Sequence, residues 1–438
     1  MSAWTAAVSG ARRDGALLAA RHVAGAIADR ARVQEAVLAA PEQTAFERSV
    51  RWHEHDVAQG DAGLALACAQ LDRCFPGDGW DVVAHEYLSC GVRSIEGERL
   101  APGLFSGLAG LAFTTALLSR GGTRYRRLAA TLEAELTTQT EVLARTVGGR
   151  REGLAVREFD VISGLAGIAA HLLARPAVDG ATQAALRALA GLVGEPGPAP
   201  GIARWFTPPE LFAHEEEVRL YPHGSLNCGL AHGIAGPIAA LALALARGAT
   251  VDGLGSAVRT GASWLADHRT DDRWGVNWPT MVSLPEGGAA DAPSRAAWCY
   301  GAPGVARALW LAGAALGDDD LSALAIRAME CVYERPLAAR QIDSPTFCHG
   351  VAGLLAITLR FRNDTGLAVF DDAAGALVDQ LLDAFEPGAS LLGFRAIEPG
   401  GSPVDQPGLL DGAPGVALVL LAAATPVPPS WDRLFLLA

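Results

Sequence analysis

A Gly-x-x-Gly pair followed by an apolar run recurs seven times and constrains the fold of this chain more than any other feature. The first glycines of the pairs lie 47 to 69 residues apart, at Gly60, Gly107, Gly164, Gly233, Gly301, Gly350 and Gly412. Self-similarity at such a spacing is the signature of a repeat architecture, in which each copy is one supersecondary unit that buries its apolar face against its neighbours.

Each copy combines an apolar helix with a charged one. The run after the pair is apolar on all sides, as in residues 164–173, which favours a buried helix. The segment that follows is amphipathic, as in 123–145 and 318–335, and suits an outer layer. Glycines three apart share one helix face and let a neighbouring backbone approach closely. The prediction is an all-α fold, an α/α toroid of seven inner and seven outer helices.

The repeats occupy nearly the whole chain. Residues 11–40 show apolar positions at helical spacing, so residues 1–57 are expected to form two N-terminal helices ahead of seven repeats over 58–438. Half of the 438 residues are hydrophobic and 19% are charged, as in chains that bury many elements. We expect a single domain over residues 1–438.

Composition excludes several functional classes. A net charge of −13 without a basic stripe argues against nucleic-acid binding. Residues 101–119 and 229–246 lack Asp, Glu, Lys and Arg over the length of a membrane span, but both belong to the repeat pattern, so no integral membrane protein is expected. The N-terminus is not a signal peptide, and the seven cysteines lack disulfide-scaffold spacing. We expect a cytoplasmic protein.

The residue immediately before each first glycine, here called the lip position, is polar in all seven copies. The lip positions hold Gln59, Ser106, Ser163, His232, Tyr300, His349 and Asp411. Polar residues confined to the N-terminal ends of buried helices should converge at one end of the toroid. Ser and Asp can act there as helix N-caps, but His and Tyr are not favoured caps and suggest another role.

Two cysteines and a histidine share this part of the repeat. Cys299 and Cys348 each lie two residues before a first glycine, and His349 follows Cys348 directly. Zinc binds Cys thiolates and His nitrogens tetrahedrally, and three protein ligands leave a fourth position open for water or substrate. Free cysteines are also commonly buried packing residues. The shared phase and His349 favour a zinc site formed by these three residues.

Three further residues are candidates for function. His232 has the phase of His349 and could be an acid, a base or a fourth ligand. Asp160 lies four residues before its glycine and could be a helix cap, a surface acid or a functional carboxylate. Arg295 lies four residues before Cys299 and could pair with a carboxylate or stabilise a developing anion.

Three motifs identify a family resemblance. Trp-Cys-Tyr-Gly at 298–301, Cys-His-Gly at 348–350 and Asn-x-Gly-x-Ala-His-Gly at 227–233 stand over the seven glycine pairs. Together they resemble the lanthionine synthetase C-like family, the lanthipeptide cyclases, from residue 60 onward. The resemblance implies that Cys299, Cys348 and His349 bind Zn²⁺ and that a cysteine thiol of the substrate peptide takes the open position as a thiolate.

The resemblance also implies a reaction and a role for four residues. The thiolate adds to a dehydroalanine or dehydrobutyrine of a lantibiotic precursor, which forms a thioether ring and an enolate. The family's pattern then makes His232 the leading proton donor, places Arg295 at the enolate oxygen, and lets Asp160 orient His232 or carry protons. Tyr300 would shape or polarise the pocket.

The expected partners follow from the same resemblance. They are a dehydrated precursor peptide with leader and core, a dehydratase, and a complex with an exporter that would bring the protein to the inner face of the membrane. The chain begins close to the first repeat, as expected of a free-standing cyclase.

Three alternatives remain open at this stage. A zinc-thiolate transferase such as a protein prenyltransferase would normally add a carboxylate ligand and an aromatic pocket. An α/α glycosidase needs two carboxylates, and Asp160 and Asp411 are the candidates. A third alternative is a family member that only binds thiols or peptides as a scaffold.

Overall fold

Helices dominate the computed structural model, which describes residues 3–46, 50–175, 178–284 and 294–438. The helices are α1 (Gly10–Ala28), α2 (Arg30–Gln43), α3 (Asp61–Cys74), α4 (Trp80–Arg93), α5 (Leu108–Leu118), α6 (Arg126–Gly149), α7 (Val156–Phe159), α8 (Leu165–Ala174), α9 (Gly180–Gly194), α10 (Glu215–Leu220), α11 (Ala235–Ala246), α12 (Leu254–Asp267), α13 (Ala302–Leu316), α14 (Asp319–Glu334), α15 (Leu337–Arg340), α16 (Val351–Thr365), α17 (Ala368–Asp383) and α18 (Ala413–Ala424). Short 3-10 segments lie at Pro209–Leu211 and Ser430–Phe435. The all-α prediction is confirmed.

Strands are short and lie between helices. They are β1 (Ser225–Asn227), β2 (Thr270–Asp272), β3 (Gly275–Asn277), β4 (Met281–Ser283), β5 (Ala396–Ile397) and β6 (Pro403–Val404). They pair antiparallel as β1–β4, β2–β3 and β5–β6, with Leu226 opposite Val282 in the first pair. No helix in the described ranges has both the length and the apolarity needed to cross a membrane.

Every Gly-x-x-Gly pair opens a buried helix. The first glycine directly precedes α3, α5, α8, α13, α16 and α18, and α11 begins two residues after Gly233. All twelve residues of α18 are buried, as expected of a helix that is apolar on every side. The predicted inner helices are therefore present at the predicted motifs.

Five of the described inner helices pack against the helix that follows them in the chain. Contacts pair α4 with α3, α9 with α8, α12 with α11, α14 with α13, and α17 with α16. The inner helix α18 is followed by the 3-10 segment Ser430–Phe435 and not by an α-helix. The helix that packs against α18 is α1. The N-terminal segment, which the sequence places before the repeats, thus supplies the helix that packs against the last repeat.

The contacts of the chain group into two compact units. Unit 1 comprises residues 1–101, 105–131 and 341–432, and its inner helices pack in the order α16, α18, α3, α5. Unit 2 comprises residues 102–104, 132–340 and 433–438, and its inner helices pack in the order α8, α11, α13. The single domain over 1–438 stays a prediction.

A ladder of backbone hydrogen bonds joins successive repeats of unit 1. It runs through the residue two before each first glycine, here called the ladder position. The N–H of Cys348 donates to the carbonyl of Leu410 (3.1 Å), the N–H of Leu410 donates to Ala58 (3.1 Å), and the N–H of Ala58 donates to Phe105 (3.2 Å). All four residues occupy the ladder position of their repeats.

Unit 2 has one bond of the same kind and two bonds in which the donor lies one residue before the ladder position. The N–H of Ala231 donates to the carbonyl of Cys299 (3.2 Å), and both residues occupy the ladder position. The N–H of Val161 donates to Ala231 (3.0 Å), and the N–H of Leu104 donates to Ile162 (3.1 Å). Within each unit, residues of equal phase in the repeat are therefore neighbours in space.

The second glycine of a pair is required by close packing. A Cβ on Gly167 would overlap the carbonyl oxygen of Val161, three residues before the first glycine, and would lie 2.9 Å from the Cβ of Leu104 in the neighbouring repeat. The corresponding carbonyl blocks a Cβ in the same way at Gly63, Gly236, Gly304 and Gly415. The atoms that lie close to the second glycine belong to the turn of its own repeat and to a side chain of the neighbouring repeat.

We predict that Gly167→Ala lowers the free energy of unfolding by about 1–3 kcal/mol, because the turn or its neighbour must move to admit the methyl group. Urea unfolding measures the change. The control is Gly255→Ala in α12, where an added Cβ meets no atom within 4 Å and helix propensity should raise stability by up to about 1 kcal/mol. Equal effects of the two substitutions would contradict the packing account.

Candidate functional site

Asp160 and His232 form a fixed pair in unit 2. Asp160 is buried, with 1% of its side chain exposed, and its Oδ1 accepts the backbone N–H groups of Ser163 and Gly164, each at 2.8 Å. Its Oδ2 lies 2.7 Å from Nδ1 of His232, whose side chain is 38% exposed. The turn before α8 thus holds the carboxylate, and the carboxylate holds the imidazole.

The pairing decides what the imidazole can do. A carboxylate that accepts from Nδ1 selects the neutral tautomer with its proton on Nδ1, which leaves Nε2 available as a base or, once protonated, as an acid. The two oxygens of Asp160 therefore have different partners: Oδ1 accepts from the turn before α8, and Oδ2 lies against the ring of His232. No side chain caps the N-terminus of α8, and the role of Asp160 in orienting His232 stays a prediction.

Tyr300 lies beside this pair. The rings of His232 and Tyr300 have centroids 6.3 Å apart. A Cβ on Gly229 would come within 2.5 Å of the Tyr300 ring, and the N–H of Gly229 donates to Oδ1 of Asn227 (2.9 Å). The Asn-x-Gly-x-Ala-His-Gly motif therefore has a local physical reason: Asn227 shapes the turn, and the glycine leaves room for the tyrosine ring.

The turn before α13 carries Arg295, Cys299 and Tyr300. Gly301 has φ +84°, and a Cβ there would overlap the carbonyl oxygen of Arg295, so both conformation and space require glycine. Cys299 is buried, and its carbonyl accepts the ladder bond from Ala231. Arg295 is half-buried at the start of the same turn.

Cys348, His349 and Asp411 form a cluster of metal-ligand type in unit 1. One donor atom from each of the three residues lies within 4.8 Å of the others. Nδ1 of His349 lies 3.5 Å from Oδ1 of Asp411, and that oxygen is buried without a hydrogen-bond partner. Burial raises the pKa of the Asp411 carboxyl above its ordinary value, and the neighbouring His349 acts in the opposite direction.

The donors fit a zinc ion. Thiolate, imidazole and carboxylate are all zinc ligands, and a buried carboxylate oxygen without a donor is suited to a cation. The ladder explains the proximity, because Cys348 and Leu410 are bonded ladder neighbours and the next residues, His349 and Asp411, occupy adjacent lip positions. The sequence places Asp411 at a lip position, and no metal role was predicted for it there. His349 and Asp411 occupy the lip positions of two successive repeats, and this is the sequence signal that could have predicted their proximity.

The predicted site residues divide between the two units. Unit 1 contains Cys348 and His349 with Asp411. Unit 2 contains the other predicted residues, Asp160, His232, Arg295, Cys299 and Tyr300. The hydrogen bond between Asp160 and His232 and the packing of Tyr300 are observed, whereas the ligand set Cys299, Cys348 and His349 stays a prediction.

The first repeat carries a carboxylate at the same phase as Asp160. Asp56 lies four residues before Gly60, and burial raises its pKa to about 7. Its Oδ1 lies 3.2 Å from Nε2 of His55, but the geometry does not make a hydrogen bond. The carboxyl group at this repeat position is therefore hydrogen-bonded through both oxygens at Asp160, whereas burial disfavours the charged form at Asp56.

Comparisons with known proteins agree with these motifs. The family described as lanthionine synthetase C-like protein matches residues 51–436. Nisin biosynthesis protein NisC of Lactococcus lactis subsp. lactis is 28% identical over 279 residues, which cover 62% of this chain and 65% of that protein, so the match spans just under two thirds of the relative. Among solved structures, nisin cyclase matches with a TM-score of 0.75 and 24% identity, over 93% of this chain and 97% of that one. This likeness confirms the α/α toroid fold.

The tautomer of His232 is directly testable. We predict Nδ1–H in the neutral ring of the wild type and a shift of the proton to Nε2 in Asp160→Asn, because the amide group can donate to Nδ1. Long-range ¹H–¹⁵N correlation spectra of the histidine rings report the tautomer. His268, whose Nδ1 lies 2.7 Å from the carbonyl oxygen of Trp264, is the internal control and should keep its Nδ1–H signal in both proteins. An unchanged His232 signal in Asp160→Asn would contradict the pairing.

Asp56 should make stability fall as pH rises. Its pKa is about 7 in the folded protein and about 3.9 in an unfolded chain, so the native state binds the extra proton between these values. The free energy of unfolding therefore decreases from about pH 4 to pH 7 through this group. Asp56→Asn should remove that contribution and raise stability above pH 7 relative to the wild type, measured by urea unfolding at several pH values.

Proposed function

The chain belongs to the lanthionine synthetase C-like family, and we propose that it is a zinc-dependent lanthipeptide cyclase. In this reaction a peptide cysteine thiol adds to the β-carbon of a dehydroalanine or dehydrobutyrine and forms a lanthionine or methyllanthionine ring. The observation that carries the proposal is the Cys348 and His349 donor cluster, at the motif predicted for metal binding, in a chain that matches the family over residues 51–436.

Cys299, Cys348 and His349 are the residues that would hold the zinc ion. When bound, zinc lowers the pKa of a thiol so that it is present as the nucleophilic thiolate at neutral pH.

Proton transfer is the task of the histidine pair. Addition of sulfur to the β-carbon moves an electron pair onto the substrate carbonyl, and the resulting enolate needs a proton at Cα. Protonated His232 is suited to donate from Nε2, since Asp160 occupies Nδ1 and orients the ring. The proton lost by the thiol and the proton gained at Cα balance over the reaction.

Two further side chains support the same step. Arg295 would stabilise the negative charge on the enolate oxygen, because a guanidinium placed in a partly buried turn attracts a developing oxyanion more strongly than one in water. Tyr300, packed beside His232, would restrict where the substrate backbone lies.

One observation bears on a rival function. A prenyltransferase-type zinc site would add a carboxylate ligand, and Asp411 does lie with Cys348 and His349. The cyclase is favoured because the family match covers most of the chain and because the Asp160–His232 pair is the acid that enolate protonation needs. A scaffold that only binds thiols would have no use for that pair.

The partners follow from the chemistry. The substrate is proposed to be a dehydrated precursor peptide with leader and core, because dehydro residues must be made before the ring can close. A dehydratase and an exporter are the proposed protein partners, and the cytoplasm is the proposed compartment.

The function is tested by counting thiols. Cyclisation does not change the mass of the peptide, so the protein is incubated with a dehydrated, cysteine-containing precursor and the remaining thiols are counted after alkylation. Wild type should consume thiols faster than the enzyme-free reaction. Cys348→Ala and Cys299→Ala should lose about 100-fold or more in rate, and His232→Asn about 100-fold to 10,000-fold.

Cys90→Ala is the matched control, because Cys90 lies in α4 outside the site and should be dispensable. Equal thiol counts with wild type and Cys299→Ala would reject the cyclase. Zinc that remains bound in the double variant Cys299→Ala/Cys348→Ala would reject the ligand assignment separately.

A further inference from the structure

We infer that Asn277 is a positioning residue for the turn before α13, which carries Arg295, Cys299 and Tyr300. The inference rests on the proposed function, and it concerns residues of unit 2 alone. Asn277 is the last residue of β3 and is buried, with 3% of it exposed.

The side-chain amide of Asn277 bridges the two ends of this turn. Its Oδ1 accepts the N–H of Ala302, the first residue of α13, at 3.0 Å, and its Nδ2 donates to the carbonyl oxygen of Ser294 at 2.8 Å. The Oδ1 also accepts the N–H of Trp278 at 2.8 Å. These partners fix the orientation of the amide, because a backbone N–H only donates and a carbonyl only accepts. One side chain therefore joins the residue just before the turn to the start of the helix after it.

The residues that follow Asn277 add two bonds to the first of these ends. The N–H of Ser294 donates to the carbonyl oxygen of Trp278 at 2.9 Å, and the hydroxyl groups of Ser294 and Thr280 lie 2.9 Å apart. Ser294 is thus bound through its N–H, its carbonyl and its hydroxyl. The segment 277–280 therefore fixes where the turn begins.

Asn277 supplies an acceptor that the turn itself lacks. The helix α13 has no side-chain cap, and Pro303 in its first turn has no N–H. Ala297 occupies the repeat position of Asp160, whose Oδ1 accepts two backbone N–H groups of its own turn. The first N–H groups of a helix have no acceptor within the helix, and Asn277 is the acceptor that the described residues provide for Ala302.

Fixing both ends of the turn restricts the reactive side chains between them. Cys299 is a proposed zinc ligand and Arg295 is proposed to face the enolate oxygen, and a displacement of about 1 Å in such groups can lower a rate about 100-fold. The middle of the turn is held separately, by the ladder bond to Cys299 and by the bond from the N–H of Ala296 to the carbonyl of Arg340. Loss of the Asn277 side chain should therefore loosen the turn without unfolding it.

The test compares wild type with Asn277→Ala, which removes both the donor and the acceptor of the amide. In the thiol-counting assay the variant should lower kcat about 100-fold and leave KM within about threefold, because the peptide still binds while the reacting groups are misplaced. A role confined to substrate binding would instead raise KM.

The thiol of Cys299 gives a second readout in the metal-free protein. It is 5% exposed, so iodoacetamide should modify it slowly in wild type and about 10-fold faster in Asn277→Ala, because the loosened turn opens more often. Peptide mapping by mass spectrometry follows the modification of each cysteine. Cys68, which is buried in α3, reports global opening and should react at the same rate in both proteins.

Thr182→Ala is the matched control. Thr182 is buried in α9, and its hydroxyl donates to Asp179 and accepts from Arg175, so the substitution removes interactions of the same kind away from the turn. It should change neither kcat nor the modification rate of Cys299. Wild-type kcat in Asn277→Ala, a change confined to KM, an unchanged Cys299 rate, or an equal loss in Thr182→Ala overturns the inference.

Wild type decides the question if Asn277→Ala does not fold. The N–H of Ala302 should then exchange with deuterium about 100-fold or more slowly than an unprotected amide, because its acceptor is the buried side chain of Asn277. Exchange at the unprotected rate overturns the inference.

The inference and the proposed function fail separately. A wild type that closes no rings rejects the cyclase, while the modification of Cys299 and the exchange of Ala302 still decide whether Asn277 holds the turn. A wild type that closes rings, with an Asn277→Ala variant of equal kcat and equal Cys299 modification, rejects only the role of Asn277.

Discussion

The hydrogen bonds between ladder positions are the interaction on which the rest of each unit depends. They join backbone groups that would otherwise lie unpaired in buried turns, a situation that folded proteins avoid. The turns can approach because the second glycine of each pair leaves no side chain against the carbonyl of Val161 or its equivalents. Backbone pairing and the glycine spacing are therefore one constraint, repeated from turn to turn within a unit.

The geometry within each part of the candidate site follows from this backbone pairing between turns. Once ladder residues are bonded, the next residue of each turn occupies a lip position beside that of the neighbouring repeat, as with His349 and Asp411. The ladder also brings the turn after Asp160 against the turn that carries His232, because Val161 donates to Ala231. A polar residue at a lip position costs the apolar helix behind it little, so chemistry can vary there without disturbing the core.

Much of the fold and part of the site were predictable from residue pattern. The seven inner helices follow from glycine pairs before apolar runs. The place of Cys348 and His349 in the donor cluster follows from their position in the repeat, just before a first glycine. The packing of α1 on α18 was not predictable, because nothing local in Gly10–Ala28 distinguishes a leading helix from the partner of the last repeat. The place of Asp411 beside His349 was not predicted, because an aspartate before a helix also suits a cap, and only the structure shows its Oδ1 buried without a hydrogen-bond partner and 3.5 Å from Nδ1 of His349.

The sequence by itself determined the helical class, the repeat, its phase and the residue types at the turns, because periodicity and glycine spacing are local properties of the chain. The tertiary structure decided which turns are neighbours and which atoms face each other. The pairing of Asp160 Oδ2 with His232 Nδ1 across 72 residues, and of His349 with Asp411 across α16 and α17, depends on packing between distant helices. Such distances follow from how side chains fill a core, which no local pattern encodes.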